Sequence, residues 1–144
     1  MLLATRSVGA TRAFGAKVGA ASRPGDLYAL EGELGTGKTE FVRGFVNGID
    51  GSIVVRSPSF SIVNTYATAR FPVYHFDFYR LHDASELDEI GFEEYLAGDG
   101  VCLIEWGTMF PSVLPTQTRL IVFRDIGIYE REIRYDFDRS FVGI

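Results

Sequence analysis

Gly32-Glu33-Leu34-Gly35-Thr36-Gly37-Lys38-Thr39 is the stretch whose reading decides the fold. It matches the phosphate-loop pattern G-x-x-x-x-G-K-[ST] at every fixed position. Glycines at 32, 35 and 37 open backbone conformations that other residues avoid, so successive amides can turn toward phosphate oxygens. In this pattern Lys38 carries a positive charge to the β and γ phosphates, and the Thr39 hydroxyl ligates magnesium. The flanks agree. Leu27-Tyr28-Ala29-Leu30 is an apolar run short enough for a buried strand, and Phe41, Val42 and Phe45 recur at helical spacing. Strand, loop and helix thus follow in order, and the helix N-terminus adds its dipole to the same anion site. The expected nucleotide-binding set is Gly32, Glu33, Leu34, Gly35, Thr36, Gly37, Lys38, Thr39 and Glu40.

A metal nucleotide site also needs an acid, ideally at the carboxyl end of a neighbouring buried strand. Two segments answer. Val101-Cys102-Leu103-Ile104-Glu105 is an apolar strand ending in a carboxylate, the shape of a Walker B element. In Val73-Tyr74-His75-Phe76-Asp77, strand periodicity sets Val73, His75 and Asp77 on one face and leaves Asp77 at the exit. Either acid alone also fits a solvated strand end; beside the phosphate loop, the functional reading is favoured. His75 is read as a strand histidine with its hydrogen bonds satisfied, without a catalytic role. With His82 the only other histidine, a zinc site is not expected.

Outward from these motifs, strands are expected at Ile53 to Val55, Phe60 to Tyr66, Val73 to Phe76, Val101 to Ile104, Leu120 to Phe123 and Glu130 to Phe137. One helix, Ser85 to Leu96, interrupts them, with Ser85 as its cap. Near the start, Val8, Ala10, Thr11, Phe14, Val18 and Ala21 share one face of an amphipathic helix that Pro24 and Gly25 end. The same segment, with Arg6, Arg12, Lys17 and Arg23 before the first acid at Asp26, also fits an organellar transit peptide. Early strands alternating with helices predict parallel pairing, and closely spaced later ones predict hairpins. The expected fold class is α/β: a P-loop NTPase-like three-layer α/β/α arrangement with a mixed parallel/antiparallel sheet, one domain over residues 1–144.

Composition narrows the function classes. With 47% hydrophobic and 23% charged residues among 144, the chain has the make-up of a folded domain and not of a disordered one. A single cysteine, Cys102, excludes an intramolecular disulfide framework and fits a reducing compartment. No apolar run approaches the roughly 20 residues that span a bilayer, so no membrane association and a cytoplasmic location are expected. A net charge of -5 opposes a phosphate backbone, which leaves any nucleic-acid link indirect.

Taken together, the loop at 32 to 39, Phe41-Val42-Arg43-Gly44, Ser57-Pro58-Ser59-Phe60, His75-Phe76-Asp77-Phe78-Tyr79-Arg80-Leu81 and Leu103-Ile104-Glu105-Trp106 resemble the TsaE (formerly YjeE) family over nearly the whole chain. Their order and spacing are more specific than the loop alone. The resemblance implies an ATPase, using ATP and Mg, that works with TsaB and TsaD to place threonylcarbamoyl on adenosine 37 of tRNA, with tRNA reached only through those partners. It implies that Asp77 and Glu105 are the active-site acids, with Thr39 and Glu105 toward the metal and Asp77 either at the metal or orienting the attacking water. Trp106 then lies beside the nucleotide, and Ser57, Pro58, Ser59 and Phe60 form a switch-like loop. Glu33, Ser59 and Gly107 depart from the residues usual in the family, and the chain ends soon after its last expected strand. A small-molecule phosphotransferase and a nucleotide-sensing module with incidental hydrolysis remain as alternatives. A guanine-specific Asn-Lys-x-Asp does not occur. No arginine stands out as a cis finger, so slow turnover in isolation is expected.

Overall fold

The computed structural model describes residues 1–33, 35–56 and 61–135. At its centre lies β2 (Leu27–Glu31), the strand that feeds the phosphate loop. It is paired in parallel with β5 (Val101–Glu105) on one side and β6 (Arg119–Asp125) on the other. Beyond β5 come β4 (Pro72–Asp77), parallel to it, and β3 (Val63–Ala67), antiparallel to β4. Beyond β6 come β7 (Arg131–Tyr135) and β1 (Leu2–Thr5), both antiparallel to their inner neighbour. The sheet order is β1-β7-β6-β2-β5-β4-β3, mixed as expected, with hairpins at β3–β4 and β6–β7.

Alternation along the central strands divides the molecule into two cores. Tyr28, Leu30, Val73, Leu103, Ile121 and Ile133 point to one face, where they meet Phe14 and Val18 of α1 (Val8–Ala21) and Phe41 and Phe45 of α2 (Lys38–Ile49). Leu27, Phe76, Cys102 and Ile104 point to the other face. There they meet Leu87 of α3 (Ser85–Glu89) and Phe92 of α4 (Phe92–Ala97). Helices, sheet and helices make the three layers. Helices α1 and α2 touch backbone to backbone: a Cβ added at Gly44 would stand 2.0 Å from the Arg12 carbonyl oxygen, so a side chain there would drive the pair apart.

Five points differ from the sequence reading. β1 was not anticipated; it is a short edge strand, tied down by the Met1 amine donating to the Tyr135 carbonyl at 2.6 Å. Val8, placed on the buried face of α1, is exposed, and the buried stripe is Thr11, Phe14, Gly15, Val18 and Gly19. Ile53 to Val55 is not a strand: Val54 is 72% exposed, and the backbone of Arg56 just beyond bonds to the Tyr66 hydroxyl instead of to a sheet. The expected helix over Ser85 to Leu96 is two helices, broken at Gly91, whose φ of 73° is left-handed. Ser85 is not its cap. Ala84 holds that position, and the Ser85 amide donates to Asp83 Oδ1 at 2.8 Å. Among the described residues no helix is long and apolar enough to cross a membrane.

Candidate nucleotide site

The carboxyl ends of β2, β4 and β5 lie side by side, with Asp77 opposite Glu105 and Leu30 opposite Glu105 in register. The loop after β2 therefore opens directly above both acids, at the edge where open α/β sheets bind ligands. Gly32 has a φ of 151°, and a Cβ there would stand 2.6 Å from the Phe123 carbonyl oxygen, so the loop can hug β6 only as glycine. The Thr36 hydroxyl closes the loop onto the Glu33 carbonyl at 2.7 Å. Gly37 caps α2 with a φ of 100° and no side-chain bond, which leaves the first amides of this 12-residue helix open to an anion.

Lys38 is 4% exposed, unusual for a lysine. Its Nζ donates to the Gly32 carbonyl at 2.5 Å, stands 4.2 Å over the Trp106 ring, and lies 3.8 Å from Glu105 Oε1. A buried ammonium held by one carbonyl, a ring face and a carboxylate beyond hydrogen-bond reach is a charge set for a further acceptor. Trp106 takes a left-handed φ of 60° to lay its ring there, and Tyr79 packs against it at 5.1 Å. Such a conformation is costly for a bulky residue and clusters at functional sites.

Glu105 is buried, and its Oε2 accepts from His75 Nε2 at 2.7 Å. Asp77 is half-buried; desolvation pushes its carboxyl above the usual carboxylate range, opposed by the Tyr79 amide it accepts from and reinforced by the Glu105 charge. His75 differs from the sequence reading: its Nδ1 is buried without a hydrogen-bond partner among the described residues. No cluster of three His, Cys, Asp or Glu among those residues could hold a metal alone. Thr39 and Glu105 nonetheless supply hard oxygen donors at one cavity. One or two protein oxygens completed by substrate phosphates is how magnesium is usually held.

That cavity, about 290 Å³, extends from Lys38, Thr39 and Glu105 to residues that the motifs do not reveal. Ser7, Val8 and Thr11 line it from the start of α1, and Tyr129 and Arg131 from the β6–β7 hairpin. Arg131 Nη2 donates to the Gly35 carbonyl at 3.0 Å, while Nη1 holds Asp125 Oδ1 and the Gly127 and Glu130 carbonyls. Glu40 lines the cavity too, but its carboxylate is taken by Arg12 at 2.5 Å and Arg43 at 2.8 Å, so its contribution is the helix-turn amide. Glu33 is exposed and serves the loop through its carbonyl. Leu34 and the switch-like Ser57, Pro58, Ser59 and Phe60 lie outside the described residues.

Comparison with known proteins places this geometry in context. Residues 5–133 match the family model described as threonylcarbamoyl adenosine biosynthesis protein TsaE. A Bacillus subtilis (strain 168) protein named as a tRNA threonylcarbamoyladenosine biosynthesis protein is 42% identical over 125 residues, 87% of this chain and 78% of that one. A Treponema pallidum (strain Nichols) protein of the same name is 37% identical over 133 residues, 92% of this chain and 98% of that one. The crystal structure of YdiB from Bacillus subtilis superposes with a TM-score of 0.78 at 36% identity, covering 94% of this chain and 83% of that one.

Proposed function

Because the chain belongs to the TsaE family of threonylcarbamoyl adenosine biosynthesis proteins, we propose that it is a magnesium-dependent ATPase serving that tRNA modification. The observation that carries the reading is Lys38, buried at the open end of α2 and poised between the Gly32 carbonyl and Glu105. Phosphates entering above the loop give Lys38 a stronger acceptor than one carbonyl, and the first-turn amides of α2 point at the same charge. Thr39 and Glu105 would hold magnesium, which supplies charge neutralisation of the β and γ phosphates.

Asp77 stands beside Glu105 on the next strand, and its raised affinity for a proton suits it to orient the attacking water and take up its hydrogen. The Trp106 ring covers Lys38 and keeps bulk water from that charge. The part of the cavity between the start of α1 and Tyr129 with Arg131 receives the nucleoside. Arg131 is already committed to the loop and its own turn rather than reaching as a finger, which supports slow turnover by the isolated chain.

In this reading the protein acts in the cytoplasm with TsaB and TsaD, and tRNA is reached through them, since a net charge of -5 repels a polyanion. The experiment is a reconstituted tRNA modification assay containing TsaB and TsaD, with and without this chain. Repeated turnover should require the chain and ATP; repeated turnover in its absence contradicts the role.

A further inference from the structure

His75 is fully buried on β4, on the face that α1 and α2 cover, and the catalytic reading above leaves it unused. Asp77 lies beside Glu105 in register, so His75, two residues earlier on the same face, is the diagonal neighbour of Glu105. Its Nε2 meets Glu105 Oε2 at 2.7 Å. An ionised carboxylate only accepts, so a hydrogen is assigned to Nε2, and in the neutral ring Nδ1 is then the nitrogen that carries the lone pair. That lone pair has no partner among the described residues. A buried unpaired nitrogen lowers stability, and an apolar ring of similar size would avoid the penalty. The bond to Glu105 is what the imidazole supplies.

The second observation is the gap on the other side of Glu105. Oε1 stands 3.8 Å from Lys38 Nζ, too far for a hydrogen bond, although both groups are buried and opposite in charge. A carboxylate free to turn would close on that ammonium. We propose that His75 is a positioning residue: by holding Oε2 it keeps Glu105 from closing on Lys38, so that Oε1 would remain available to a cation and Lys38 to phosphate. The proposal rests on the reading of this site as a magnesium nucleotide site, and it concerns the support of the acid rather than its identity. Hydrogen bonding of metal-bound carboxylates by a supporting shell is a general device.

The test follows Mn2+ as a probe for magnesium, bound to the full chain with ADP, by electron paramagnetic resonance, with circular dichroism and thermal unfolding alongside. His75→Phe should keep the fold with an unfolding temperature at or above the parent's, and weaken Mn2+ binding roughly tenfold to a hundredfold. His75→Gln, which can offer a donor, should recover most of that loss. In a Glu105→Ala background His75→Phe should cost nothing further, because the group it positions is gone. Equal losses with and without Glu105, or unchanged Mn2+ binding in a folded Phe variant, overturn the proposal. Should the Phe variant not fold, a natively folded His75→Leu is judged in its place: Mn2+ binding weaker than the parent's upholds the proposal, and unchanged binding overturns it. A parent that binds no Mn2+ with ADP overturns the nucleotide reading itself, and this role with it.

Discussion

The two faces of the sheet are built from the same strands and do opposite work. On β4 and β5, Tyr74, Phe76, Cys102 and Ile104 turn to the α3/α4 side and make an apolar core of edge-to-face rings: Phe76 meets Phe92 and Tyr95 at 5.2 Å each. The alternate residues Val73, His75, Asp77, Leu103 and Glu105 turn to the α1/α2 side, where the apolar character ends in a histidine and two acids just below the phosphate loop. One residue of register separates a hydrophobic contact from a polar one. One side is packed for stability. The other keeps buried charges incompletely paired at Lys38, Glu105 and Asp77, as a site awaiting an anion and a cation must.

Truncation on the apolar side tests this contrast with the largest expected effect. Phe76→Ala should destabilise the fold by about 3–5 kcal/mol in denaturant titration. The folded fraction should bind Mg·ATP with parent affinity, since the Phe76 ring packs on the α3/α4 side of the sheet, away from the phosphate loop. Next come the acids. Glu105→Ala and Asp77→Ala should leave circular dichroism native while hydrolysis falls on the order of a hundredfold, measured by phosphate release. If both hydrolysed ATP at the parent rate, the polar face would not be the catalytic one.

A smaller effect is expected at Arg131, where Ala substitution frees the Gly35 carbonyl and the β6–β7 turn. ADP affinity by calorimetry should drop roughly five- to tenfold, the scale of one hydrogen bond. The smallest concerns Asp77 in the metal-free, nucleotide-free protein. Its native carboxyl titrates above the usual value of 3.8, chiefly because of burial. Its contribution to stability is thus full below that value and lost as the pH rises through the raised one. Asp77→Asn, which can still accept the Tyr79 amide, should therefore raise Tm by on the order of a degree or two at pH 7 and by nothing near pH 3. A gain that did not change with pH would show that charge burial is not its source.

Much of this was legible in the chain because local chemistry and tertiary role coincide. The loop from Gly32 to Thr39 carries its own conformational requirement, and Asp77 and Glu105 are strand ends whose periodicity alone assigns a face. What could not be read are contacts made across long sequence separations. Arg131 reaches Gly35 from 96 positions away, and Ser7 and Thr11 enter the cavity because α1 packs on α2; none of them belongs to a local pattern. The sequence presents His75 as a satisfied strand histidine, since hydrogen-bond partners of a buried ring follow from packing and not from its neighbours in sequence. Ser85 looked like a cap because its hydroxyl suits one, but Asp83 accepts its amide two residues earlier and Gly91 ends the turn. β1 was missed for a similar reason: four residues of an edge strand have no period to detect until β7 pairs with them.

Lys38 is the residue on which the nucleotide site most directly depends. Isothermal titration of Mg·ATP into the parent and into Lys38→Ala, with circular dichroism to verify the fold, measures whether the buried ammonium below Trp106 exists for phosphate. The parent should bind with a magnesium-dependent affinity, and the variant should bind about a hundredfold more weakly or not at all. Equal affinity of a natively folded Lys38→Ala would contradict the assignment of this face as a nucleotide site.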